Sequence, residues 1–225
     1  AGPVVHRLSA TGVLTVCAVV SGVGLLWLSY AETMGVAFTA GAVFAIGTSY
    51  FWPTMLGVAA ERVPKGGALA LALLGGIGAL TAGAFTTPIM GKIADTYGHE
   101  RLDPVETKQV LIEAVDILPD LAAHAQGEAG AEIQAAGEEA QAVLTAASVA
   151  GGQLPPIDTA LALRSVARFD SSADFTRRAS ALLAPADNHG GRISFRYVSS
   201  LCILLTIIFG ILYMRDRKRG TSLTE

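Results

Sequence analysis

The sequence predicts an all-α, polytopic membrane protein. Four transmembrane helices form a bundle, and a large helical or partly disordered insert sits on its extracytoplasmic side. Three observations carry that prediction. Four runs, 11–30, 34–60, 66–91 and 197–214, contain no Asp, Glu, His, Lys or Arg. Basic residues cluster at alternate ends of those runs. A single acidic stretch, 99–192, separates the third run from the fourth. About 20 apolar residues at a rise of about 1.5 Å cross a hydrocarbon core of about 30 Å. The chain has 225 residues, of which 52% are hydrophobic and 16% charged, and the charge-free runs set the frame in which function must be read.

The first run begins after Arg7 and could be mistaken for a signal peptide with a cleavage site at Ser29-Tyr30-Ala31. Its apolar length exceeds the usual signal-peptide core of about 7–15 residues, so it is read as a retained span. Arg62 and Lys65 separate the second run from the third, and Arg215, Arg217, Lys218 and Arg219 follow the fourth. The positive-inside rule puts all of these on the cytoplasmic side. The turn after the first run holds only Glu32 and falls outside, as does the stretch 99–192. Four crossings with both ends inside satisfy every loop, which places the chain in the inner (plasma) membrane as a multi-pass protein. Because it starts at Ala1 and enters a span almost at once, it reads as a piece of something longer.

Charge divides the molecule in two. Residues 99–192 carry fourteen acidic and seven basic side chains, while the remainder carries nine basic and five acidic. Neither population describes a nucleic-acid surface. Cys17 and Cys202 both lie in apolar runs and are read as small packing residues, not as a disulfide.

Spans two and three carry small or kinking residues at every fourth position: Gly41, Ala45, Ser49, Pro53 and Gly57 in one, Gly75, Ala79, Gly83, Thr87 and Gly91 in the other. Lipid gives no hydrophobic drive between helices, so close backbone approach at small residues is what joins them. Spans two and three are therefore expected to be buried among other helices. Span four, rich in Leu, Ile and Phe, is expected at the periphery facing lipid. Pro53 removes one helical hydrogen bond and predicts a bend, with the Ser49 hydroxyl placed to satisfy the freed carbonyl. Pro88 predicts an end or bend in span three.

In the insert, an apolar stripe predicts a helix over 107–118 that stops at Pro119. An Ala/Glu/Gln-rich helix follows over about 128–150, ended by Gly151-Gly152. Two shorter helical patterns, 158–169 and 173–183, come after Pro155-Pro156. Residues 187–191 read as a loop into span four. Phe169 and Phe175 are the stretch's only aromatics, so the expectation is a loosely packed or partly disordered set of helices with no catalytic domain.

No nucleophile elbow, phosphate loop, zinc-type spacing or CxxC is present, and the chain is read as neither an enzyme nor a cofactor or metal carrier. Asp95, His99 and Glu100 lie close in sequence, but nothing supplies further ligands, and a solvated loop is the reading. The constellation that draws notice is Tyr50-Phe51-Trp52-Pro53-Thr54. On a helix Gly47, Tyr50, Thr54 and Gly57 share one face near mid-span. Tyr50 and Thr54 there either line a solvated cavity and bind a polar solute or hydrogen-bond a neighbouring helix. Trp52, nearly opposite, either contributes to that site or packs against protein or lipid.

Two loop sequences add a resemblance. Glu61-Arg62-Val63-Pro64-Lys65-Gly66 joins spans two and three, and Gly91-Lys92-Ile93-Ala94-Asp95-Thr96-Tyr97-Gly98 closes span three. These resemble the Glu–x–x–Pro–basic–Gly turn and the Gly–x–x–x–Asp–x–x–Gly signature of the major facilitator superfamily of secondary transporters. Phe51-Trp52-Pro53-Thr54 looks weakly like its fucose-permease-type branch. The resemblance covers residues 1–98 and 193–219 and departs from the family in the long insert. It implies that the four spans are the last four of twelve helices and that the first eight belong to a missing amino-terminal part. It also implies alternating access for a small polar solute such as a sugar, with Tyr50, Thr54 and Trp52 at the solute. Glu61, Asp95, Pro53 and Gly91 would then act in conformational change, Glu61 and Asp95 as latches; an ordinary surface pair of Asp95 with Lys92 is the other reading. No span holds a titratable carboxylate, His, Lys or Arg for an ion relay. The implied partners are the lipid bilayer, the solute and the missing helices. The rival is a membrane-anchored sensor or scaffold with a helical extracytoplasmic domain.

Overall fold

The computed structural model describes residues 9–125, 127–169 and 174–219, so Arg7 lies outside the described residues, as does residue 173, the start of one expected helix. Every regular element among them is helical. In chain order these are α1 (Ala10–Ser29), α2 (Met34–Ser49), α3 (Phe51–Arg62), a 3-10 turn (Pro64–Gly66) and α4 (Gly67–Thr81). A π-helical turn (Ala82–Thr86) leads into α5 (Thr87–His99), followed by α6 (Pro104–His124), α7 (Glu128–Val149), α8 (Pro156–Ala167) and α9 (Asp174–Arg219). Four stretches are long and apolar enough to cross a membrane: Ala10–Ser29, Met34–Arg62, Pro64–His99 and Asp174–Arg217. The chain divides into two units, one of residues up to Met90 together with those from Arg192 onward, the other Gly91–Gly191.

In the first unit α1 is the buried helix. Half of its apolar window is enclosed, against 11%, 0% and 6% for the other three candidate spans. It meets α2 at small residues: a Cβ on Gly24 would lie 2.6 Å from the Phe44 backbone nitrogen, and one on Gly47 would run into the Ser21 backbone. On another side, a Cβ on Gly22 would lie 3.0 Å from Cys202 Cβ of α9. Within this chain the expectation that spans two and three are the buried pair is thus corrected. Span two packs through Ala40, Phe44 and Gly47, not through the ridge from Gly41 to Gly57, and α4 has no buried residue. The physical reason is that glycine permits close approach but does not attract; the backbone that fills the space is on α1.

Each proline acts on its helix differently. Span two is interrupted at Tyr50, three residues before Pro53, where the missing N–H and the ring bear on the carbonyl of Ser49. The Ser49 hydroxyl donates to the Ala45 carbonyl at 2.6 Å, one turn earlier than the carbonyl Pro53 frees. Pro88 does not end its helix. The preceding turn widens to the π form, Thr87 Oγ1 donates to the Ala82 carbonyl at 3.0 Å, and α5 continues to His99.

The second unit has a core of its own. Val110, Leu111, Ala114 and Leu118 of α6 meet Ala136, Ala140 and Val143 of α7, with Leu163 and Val166 of α8 and Phe175 of α9. The loose packing expected from so few aromatics is corrected here. Alanine lets helices approach closely, so a few large side chains suffice to fill what remains. Asp103 caps α6 by accepting from the Val105 and Glu106 N–H groups at 2.8 and 3.0 Å, with Pro104 in the first turn. The α6 helix passes through Pro119 instead of stopping there, its preceding turn anchored by Ala114 and Leu118 in the core. Gly151 and Gly152 take φ of 66° and 91° after α7, and the Gly152 N–H returns to the Ala147 carbonyl at 2.7 Å.

The expected loop at 187–191 is helical. It lies inside α9, which also runs through Pro185. Gly190 serves a helix crossing: a Cβ there would strike the Ala94 carbonyl, and one on Gly98 of α5 would lie 2.8 Å from the Ala186 carbonyl. Ala94 and Gly98 of α5 thus interlock with Ala186 and Gly190 of α9, each pair four residues apart, in the close-approach geometry that small residues permit.

Candidate functional site

The segment from Tyr50 to Thr54 lies where α2 gives way to α3. Tyr50 caps both helices with φ −94° and ψ −10°, and its side chain is 52% exposed. The Thr54 N–H donates to the Tyr50 carbonyl at 3.2 Å, so the two residues are held one turn apart on the same strip. The face proposed to run from Gly47 to Gly57 is not open along its whole length. Gly47 is covered by Ser21 of α1, whereas a Cβ on Gly57 would find nothing within 4 Å. Trp52 packs on α4: its indole ring lies 3.9 and 3.8 Å from where Cβ atoms on Gly75 and Gly78 would stand. Here glycines on α4 accept an aromatic plate from α3. Phe51 meets Phe209 of α9 edge to face, with centroids 5.6 Å apart and planes at 75°. Pro53 and Gly91 are both exposed, and Gly91 has open space where a side chain would be.

Two sets of polar contacts lie at opposite ends of α1 in the first unit. Glu61 is exposed and forms no ion pair among the described residues; its neighbour Arg62 is the residue engaged. Arg62 reaches Asp216 of α9 at 2.7 Å, and Thr11 Oγ1 of α1 donates to the same carboxylate at 3.1 Å. Three helices therefore converge on one acid. At the other end of α1, the Arg196 guanidinium lies over the Tyr30 ring at 4.6 Å from its centroid, and Arg192 stands 3.9 Å from Glu32. Asp216 stands among Arg215, Arg217, Lys218 and Arg219 in the sequence, where nothing names Arg62 as its partner.

Asp95 forms no surface pair with Lys92. It is buried, and the Arg164 guanidinium of α8 stands 2.7 Å from it. Arg164 also pairs with Asp187 of α9 at 2.5 Å, so one cation ties α5, α8 and α9 together inside the second unit. Asp95 foremost pushes the Arg164 pKa above its ordinary value; burial opposes this and Asp187 adds to it, so the guanidinium stays charged. This cluster borders the Ala94/Gly98 and Ala186/Gly190 crossing. A second pair, Arg178 of α9 with Glu113 of α6, joins the opposite elements of the same unit. Among the described residues no three His, Cys, Asp or Glu side chains gather as metal ligands.

No protein-family model, no curated protein and no solved structure matches this chain.

Proposed function

We propose that this chain is the four-span, carboxy-terminal piece of a major-facilitator-type secondary transporter that moves a small polar solute, a sugar being the leading class, by alternating access. The observation that carries the reading is the open apolar surface of spans two and three. Phe38, Leu69, Ile77 and Phe85 are 59–73% exposed, and Gly41, Gly57, Gly83 and Gly91 all face empty space. A water-soluble protein does not leave so large a contiguous apolar surface uncovered. In a membrane, large side chains suit lipid and open glycine positions suit the close approach of further helices. The end-to-end sorting of Arg62 and Asp216 from Glu32 and Arg192 supports the alternation of loops that the basic residues predict. Tyr50 and Thr54, one turn apart at the α2–α3 interruption, are the solute-binding residues, with Trp52 holding that interruption against α4.

The test is uptake by the transporter that contains this chain. Tyr50→Phe and Thr54→Ala are expected to lower solute uptake about tenfold each with membrane abundance unchanged, the effect of removing one buried hydrogen bond to the solute. Unaltered uptake kinetics in both variants remove these residues from the site.

The packed core of residues 91–191 favours a second reading, a membrane-anchored sensor or scaffold whose helical domain receives a partner. It differs from the first in requiring no solute flux.

A further inference from the structure

A groove of about 1120 Å³ lies between α6 and α7 in the second unit. Its floor is apolar and small, built from Val115, Pro119 and Ala122 on one wall and Ala131, Ala142 and Ala146 on the other. Val149, at its edge, is 86% exposed. The rim is acidic. Glu138 lines the groove, Asp116 and Asp120 stand on the α6 turns that carry Val115 and Pro119, and Glu132 follows Ala131 on α7. Asp116, Asp120, Glu132 and Glu138 are exposed, and none forms an ion pair among the described residues. One cation, Lys108, stands in the adjoining hollow further along α6.

We propose that this groove docks a cationic amphipathic helix of a partner polypeptide. Ala131, Gly137, Ala142 and Ala146 leave room for a third helix at close range, and Gln134, Gln141 and Thr145 between them offer it hydrogen-bond partners. The α7 wall of the groove runs from Gly130 to Val149, about 29 Å, and the α6 wall from Val115 to Ala125, about 15 Å, so a guest helix of about five turns lies along α7 with about half of its length between both walls. An apolar face on the guest covers the floor, and Lys or Arg on its flanks meets carboxylates that no cation yet neutralises, Glu138 among them with only the Gln134 amide donating to it at 3.0 Å. The same charge argues against a second copy of this chain, since two acidic rims would repel. The proposal does not depend on the transport reading.

The test uses the full chain in nanodiscs of zwitterionic lipid and a fluorescent 18-residue peptide with a Leu/Ala face and a Lys face. Its anionic counterpart, with Glu for Lys, is the control. Anisotropy is expected to show binding of the cationic peptide alone, weakened by added salt. The triple variant Asp116→Lys/Asp120→Lys/Glu132→Lys and the floor variant Ala142→Lys are each expected to weaken it at least about tenfold. All four positions are exposed, so circular dichroism should report unchanged helix content. Equal affinity in parent and variants overturns the proposal and assigns the peptide to the lipid. Equal binding of the anionic peptide overturns it as well. Self-association of the parent that Ala142→Lys abolishes gives the groove to a second copy instead.

Discussion

The two units use the same residues to opposite ends. In residues 91–191, glycine and alanine are places of contact: Gly98 and Gly190 are pressed against backbone carbonyls, and Ala114, Ala140 and Ala179 are fully buried. In the spans from Met34 to Met90, glycines at matching four-residue spacing mostly face nothing, and large apolar side chains point outward. The acidic unit fills its own helix crossings; the apolar unit leaves its glycine ridges uncovered by its own chain. Small-residue spacing alone therefore does not distinguish a helix crossing from a vacant ridge. What distinguishes them is whether another backbone stands within reach.

The largest effect should come from the crossing itself. Gly190→Ala sets a methyl group on the Ala94 carbonyl and is expected to destabilise the acidic unit by about 2–3 kcal/mol, read from thermal unfolding by circular dichroism in detergent. Gly57→Ala meets no atom within 4 Å and should be neutral or stabilising by up to about 1 kcal/mol in the chain alone. If further helices dock there, the same change should lower stability in the larger protein. An equal response at both positions would end the contrast.

Next comes the cation that joins three helices. Arg164→Ala leaves Asp95 buried without a counter-charge and should cost about 2 kcal/mol, reduced from the fully buried case because Arg164 is one-third exposed. Asp187→Asn, at a half-exposed partner, should cost under about 1 kcal/mol. Combining Asp95→Asn with Arg164→Gln should recover part of the loss, and a strictly additive double variant contradicts the pairing.

Trp52→Ala strips the indole from Gly75 and Gly78, with an expected cost of about 1–2 kcal/mol given that the ring is half-exposed. The smallest effect is expected at the Arg62 end of the bundle. Asp216→Asn should cost about 0.5–1 kcal/mol and Glu61→Gln less than about 0.3 kcal/mol in the same unfolding assay. The reverse order would make Glu61, not Asp216, the acid that holds that end of the bundle.

Much of the secondary structure was legible in the residues. The charge-free runs correspond to four long helices, and Gly151-Gly152 marks the end of α7. Asp103-Pro104 holds a helix start that an apolar-stripe reading from residue 107 placed three residues late. Pro119 and residues 187–191 mislead because proline and glycine are only local punctuation. Their helices continue since core contacts at Leu118 and Ala186, and the crossing at Gly190, outweigh a local preference of a few kcal/mol. Of the site residues, the Tyr50 interruption followed from Pro53 as a local steric effect. The embrace of Asp95 by Arg164 did not, because nothing in either neighbourhood of sequence names the other.

Hydrophobic length, helix caps and the sorting of charge belong to the sequence alone, since each depends on residues within a few turns of one another. Which glycine bears a neighbouring helix, which face stays open and which cation closes on Asp95 were decided only when distant segments came together. Contact is a property of two surfaces, and one stretch of chain carries only half of it.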